Sequence, residues 1–167
     1  MMEQQFQYYA FISYKREDEK WAKWLQDRLT SKLCRQITRL PKKVWPVFRD
    51  NTDLDSGRLE ENIRHELERS HYLIVICSPE AARSPWVGKE VKYFATLHGA
   101  DKIIPFVVSG IPYSNDIETE CIHEQIKAIS QEELLAINVR EEGIGSFAMK
   151  KKRAFIRVVA RLLDIKF

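Results

Sequence analysis

The chain has 167 residues, 44% of them hydrophobic and 31% charged, with only 6 Gly and 6 Pro. That is room for one folded domain, and it excludes collagen-like, low-complexity and disordered chains. A net charge of +3 is too mild to argue for nucleic acid, and the longest aliphatic stretch, residues 72–77, falls far short of the ~20 residues a bilayer-spanning helix needs.

The 3 cysteines, Cys34, Cys77 and Cys121, are scattered and odd in number. They suit neither a disulfide framework nor a zinc site and point to a reducing, cytoplasmic setting. The N-terminal MMEQQFQYY has no basic region followed by an apolar one, so no secretory leader is read there.

Strand and helix patterns alternate along the chain. Residues 8–13 (YYAFIS) form an apolar, aromatic run that reads as a buried strand. A helix follows, with Asp18 as its expected cap and Trp21, Trp24, Leu25, Leu29 and Leu33 at spacings of three and four. Residues 44–48 read as a short second strand, and Pro46 places it at an edge or a strand end. Residues 49–57 (RDNTDLDSG) are rich in turn formers and read as a loop. Leu59, Ile63 and Leu67 mark the inner stripe of a second helix.

Residues 71–77 (HYLIVIC) give the strongest strand, nearly all apolar, as expected of a central parallel strand covered on both faces. A third helical region spans residues 80–97, with a break expected at Ser84-Pro85. Residues 103–108 read as a fourth strand, 110–125 as irregular, and 134–139 as a short fifth strand. The last helix carries Phe155, Val158, Val159, Leu162 and Leu163. The expected fold is therefore α/β: a three-layer domain with a five-stranded parallel sheet and helices on both faces. Residues 1–167 read as one domain, with a core from about 8 to 163.

In such sheets ligands bind beyond the carboxyl ends of the strands. Three segments leave strands there: Ser13-Tyr14-Lys15-Arg16, Phe48-Arg49-Asp50, and the stretch from Ser78 to Glu90. None carries a glycine-rich phosphate loop, a nucleophile elbow or a metal-ligand spacing, and the 4 His lie far apart.

FISYKRED at the end of the first strand, VFRDNTDLDSG after the second and SHYLIVICSPEAARSPWVGKEV across the third strand and helix together resemble the Toll/interleukin-1 receptor (TIR) domain, in its bacterial form. The most specific element is S-P-x-x-x-x-S-x-W-x-x-x-E, here Ser78, Pro79, Ser84, Trp86 and Glu90. The region 110–130 carries least of the resemblance.

The resemblance implies a flavodoxin-like topology and cleavage of the nicotinamide–ribose bond of NAD+, giving nicotinamide with ADP-ribose or a cyclic ADP-ribose isomer, in bacterial immune or stress signalling such as antiphage defence. It implies Glu90 as the catalytic residue, NAD+ as substrate with no further cofactor or metal, and other TIR domains as partners, with no role for nucleic acid or membrane. The loop with Asp50, Asp53, Leu54 and Asp55 is the implied self-association surface.

Residue chemistry fits that reading. One carboxylate beside a ribose favours the positive charge that develops when a neutral base leaves. Trp86 lies four residues before Glu90, on the same helix face. Lys15, Arg16 and Arg49 suit a pyrophosphate, Tyr14 and Phe48 suit a ring, and Ser13 and Ser84 suit hydroxyl contacts. Competing assignments stand beside these: Ser78 and Ser84 as helix caps, Tyr14, Phe48 and Trp86 as core, Lys15 and Arg16 as solvated charges, and Arg49 with Asp50 as an ion pair. The alternative function is a TIR scaffold or effector without catalysis that acts only through TIR–TIR contacts. Such domains often form part of longer proteins with a sensor, so the resemblance also admits the chain as a fragment of one.

Overall fold

The structure, a computed structural model, describes residues 8–31, 48–49, 57–129, 136–140 and 144–163. Strand β1 is Tyr8–Ser13, followed by a 3-10 turn at Arg16–Asp18 and helix α1, Glu19–Leu29. Then come β2 (Phe48–Arg49), α2 (Gly57–Glu68), β3 (Ser70–Cys77), the one-turn helix α3 (Pro79–Ala82) and α4 (Pro85–His98). The chain closes with β4 (Ile103–Val107), α5 (Glu124–Ile129), β5 (Ile137–Asn138) and α6 (Phe147–Leu162).

The sheet has the order β2-β1-β3-β4-β5, and every pairing is parallel. The register aligns Phe11 with Phe48, Ser13 with Val75 and Cys77 with Val107. β1, β3 and β4 make the body of the sheet. The two outer strands, both expected from sequence to be short, have two described residues each. Residues 44–47 and 134–135, which the sequence reading placed in those strands, lie outside the described residues.

Alternation along the strands sorts side chains into two cores. Ala10, Ile12, Ile74, Ile76, Ile104 and Phe106 face α1 and α6, where Leu25, Leu29, Ala154 and Val158 meet them. Phe11, Leu73, Val75, Ile103 and Val107 face α2, α4 and α5, through Ile63, Leu67, Val87, Val91, Phe94 and Ile126. β3 is thus covered on both faces, as its unbroken apolar run requires.

Two expectations are corrected. Asp18 stands at the N-cap position of α1 but makes no capping bond. Helix α5 begins at the end of the stretch read as irregular and continues to Ile129, where no element was read, since its six residues are too short to show a helical period. The break at Ser84-Pro85 is present, because Ser84 caps α4 and Pro85 opens it.

Candidate active site

The order β2-β1-β3 puts a switch point between β1 and β3, where one connection leaves toward α1 and the other toward α3 and α4. Two polar groups fill that crevice. The Ser78 hydroxyl donates to the Asp18 carboxylate and accepts from Ala81 N–H at 3.1 Å, so Ser78 caps α3 while tying the end of β3 to the turn after β1. Burial pushes the Asp18 carboxyl up from its ordinary value; the Ser78 hydrogen bond acts in the opposite sense, and Glu80 and Glu17 add to the rise.

Ser84 caps α4 in the same way, its hydroxyl accepting from Val87 N–H at 3.3 Å. Val87, Val91 and Phe94 form the inner stripe of α4 against the sheet. Trp86, Glu90 and Tyr93 follow one another on the flank toward α2. There they line a groove of about 300 Å³ together with Ile63, Arg64 and Leu67 of α2 and Lys89, Lys92 and Thr96 of α4. Glu90 is 3% exposed, which is rare for a carboxylate, and Trp86 is half-buried beside it. The Tyr93 hydroxyl donates to Glu68, and the Arg64 guanidinium lies 5.4 Å from the centroid of the Tyr93 ring, so the two helices are bridged along the groove.

The other sequence-predicted residues divide by face. Ser13 is fully buried on the α2–α4 side, and its hydroxyl has no hydrogen-bond partner among the described residues. Tyr14 alternates to the opposite side and packs in the α1–α6 core. Lys15 is half-buried before the 3-10 turn, and Arg16 is exposed on it. The backbone of Phe48 and Arg49 pairs with Phe11 and Ile12, which brings β2 beside β1 at the same sheet edge. Asp50, Asp53, Leu54 and Asp55 lie outside the described residues.

Sequence reasoning did not single out Arg64, Lys89, Lys92 or Tyr93. The spacing of Trp86, Glu90 and Tyr93 by four and three was a legible stripe. The cations were not distinguishable from any solvated helix face. The groove sets an aromatic wall and a shielded carboxylate below a rim of cations. It suits an anionic ligand that carries a ring and develops positive charge inside.

A family model described as the TIR domain matches residues 10–140. The chain belongs to the TIR domain family. This TIR domain is 36% identical over 104 residues to the NAD(+) hydrolase ApTIR of an Actinoplanes species. That match covers 62% of the chain and 14% of the relative, so the TIR domain spans a small part of that protein's length. Among solved structures, a prokaryotic SEFIR domain aligns with a TM-score of 0.52 at 15% identity, covering 92% of this chain and 90% of the other. The TIR domains of the activated Roq1 resistosome align with a TM-score of 0.45 at 15% identity, covering 94% and 84%. No helix among the described residues is long and apolar enough to cross a membrane.

Proposed function

We propose that this TIR domain cleaves the nicotinamide–ribose bond of NAD+, with Glu90 as the catalytic carboxylate. The observation that carries the reading is the placement of Glu90, 3% exposed and one turn after Trp86, in the groove between α2 and α4. The likeness to a bacterial NAD(+) hydrolase supports it.

The nicotinamide of NAD+ leaves as a neutral base from a cationic ring, so no proton has to be supplied to it. Its departure leaves positive charge on the ribose, as in other glycosidic cleavages. A carboxylate shielded from water stabilises that charge more than an exposed one does. Trp86 supplies an apolar wall, and Ser13 supplies a hydroxyl on the same face of the sheet. Arg64, Lys89 and Lys92 at the rim, with Lys15, Arg16 and Arg49 at the strand ends, supply charge for the pyrophosphate. Water adding to the ribose gives ADP-ribose and releases a proton. An adenine nitrogen of the same molecule adding instead gives a cyclic ADP-ribose isomer. Burial of Cys77 and Cys121 as free thiols suits a reducing cytoplasm.

The reading extends to assembly. We assign Asp50, Asp53, Leu54 and Asp55 to a loop that meets a neighbouring TIR domain, head to tail, in bacterial immune signalling.

Chromatography of NAD+ incubated with concentrated protein tests the proposal. The native chain releases nicotinamide and Glu90→Ala releases none; the second product separates hydrolase from cyclase. Equal release by both proteins would remove Glu90 from the mechanism. No release by either, with a crowding agent present, would favour a scaffold that acts through TIR–TIR contacts alone.

A further inference from the structure

Gly88 and His123 meet across the contact between α4 and the start of α5. A Cβ on Gly88 would lie 2.5 Å from His123 Cε1 and 2.8 Å from Nε2. Glycine inside a helix is destabilising against alanine, and here it admits an imidazole that any side chain would displace. The ring is held at both nitrogens. Gln125 N–H donates to Nδ1 at 3.0 Å, and Nε2 lies 2.8 Å from the Ser84 carbonyl oxygen. A backbone N–H only donates, so Nδ1 accepts, the proton resides on Nε2, and Nε2–H donates to Ser84. Ser84 is the cap residue of α4. One imidazole therefore grips the helix at its cap and fills the notch one turn later.

Gly88 lies on the flank of α4 toward α5; Trp86 and Glu90 line the groove on the flank toward α2. A shift of the first turn on one side moves the side chains on the other as a body. We infer that His123 is a positioning residue: by fixing the start of α4 against α5 it sets where Trp86 and Glu90 enter the α2–α4 groove. Its catalytic consequence rests on the NAD+ reading; its structural consequence does not.

The test compares native protein with His123→Asn, His123→Gln and Gly88→Ala. Asn keeps an acceptor for Gln125 N–H but does not reach Ser84; Gln reaches Ser84; the Ala methyl pushes the ring away from the opposite side. Heteronuclear NMR reads the Trp86 indole N–H and the Val87 and Gly88 amides (residue 88 as alanine in its variant). kcat and KM for NAD+ are taken on the same samples. The expected result is that His123→Asn and Gly88→Ala move the Trp86 indole signal and lower kcat roughly 10- to 100-fold. KM changes little, and His123→Gln restores both readouts. Two variants on opposite sides of the contact keep the test open where one fails to fold. An unmoved Trp86 indole signal in both variants would overturn the inference, as would a His123→Gln that behaves like His123→Asn or a native kcat beside a shifted indole. A native chain that releases no nicotinamide would sink the NAD+ reading instead, and the spectra alone would then decide whether His123 places Trp86.

Discussion

The contact between Asp18 and Ser78 joins residues 60 positions apart and closes the crevice between β1 and β3. From sequence, Asp18 reads as a helix cap, because the four unsatisfied N–H groups of a helix start are the nearest donors in view. In the fold a hydroxyl from another strand takes the carboxylate instead, and local spacing holds no trace of that partner. A pH dependence follows. Burial raises the Asp18 carboxyl above its ordinary value of 3.8. A raised folded-state value means that its contribution to stability is fully present below 3.8 and is lost as pH rises through the folded value. Asp18→Asn keeps an acceptor for Ser78 and removes the buried charge. Its melting temperature should therefore gain on the native protein as pH rises from about 3 to about 7. A gap that narrows over that range would mean that the Ser78 hydrogen bond outweighs burial. Glu90 and Trp86 were singled out by the family resemblance, and their spacing of four added only that they share a helix face; Ser13 and Tyr14 were legible as a strand end, but only the alternation of the strand decides that they face opposite ways.

At the scale of elements, β3 and α4 carry the candidate site. β3 was legible from its unbroken apolar run, and the division of α3 from α4 from Ser84-Pro85. α5 was not, since six residues give fewer than two helical turns of pattern. The position of α4 on the sheet depends on Phe94, fully buried between Ile63, Leu67 and the strands. Phe94→Ala should cost about 3–5 kcal/mol in a denaturant titration, the range for emptying an aromatic core site. A loss under ~1 kcal/mol would mean that α4 contributes little to the folded state, and the rigid placement of Glu90 would lose its support. The basic run at residues 150–153 is tied to the fold: Lys151 Nζ lies 5.0 Å from the Trp21 ring centroid and 4.7 Å from that of Trp24, covering the aromatics that α1 leaves half-buried, while Lys150 and Arg153 donate to the Arg140 and Ile144 carbonyl oxygens.

For the whole molecule, the alternation of strands and helices was sufficient to give the three layers, and right-handed parallel connections do the rest. Which strand neighbours which was carried by the family resemblance, because single-sequence patterns hold no pairing information. The proposed assembly rests on the acidic stretch at residues 50–55. Leu54→Asp should leave the fold unchanged by circular dichroism and reduce nicotinamide release at least roughly tenfold, with a rate that stays proportional to protein concentration. Native release that is itself proportional to concentration would argue that one chain holds a complete site.

The most direct test of the central claim is the rate of nicotinamide release from NAD+ by the native chain and by Glu90→Gln, at matched concentrations and with folding verified. Release by the native protein is expected, with a loss of roughly 100-fold or more in the variant, the scale on which one preorganised group at a developing charge acts. A Glu90→Gln protein that releases nicotinamide at the native rate would contradict it.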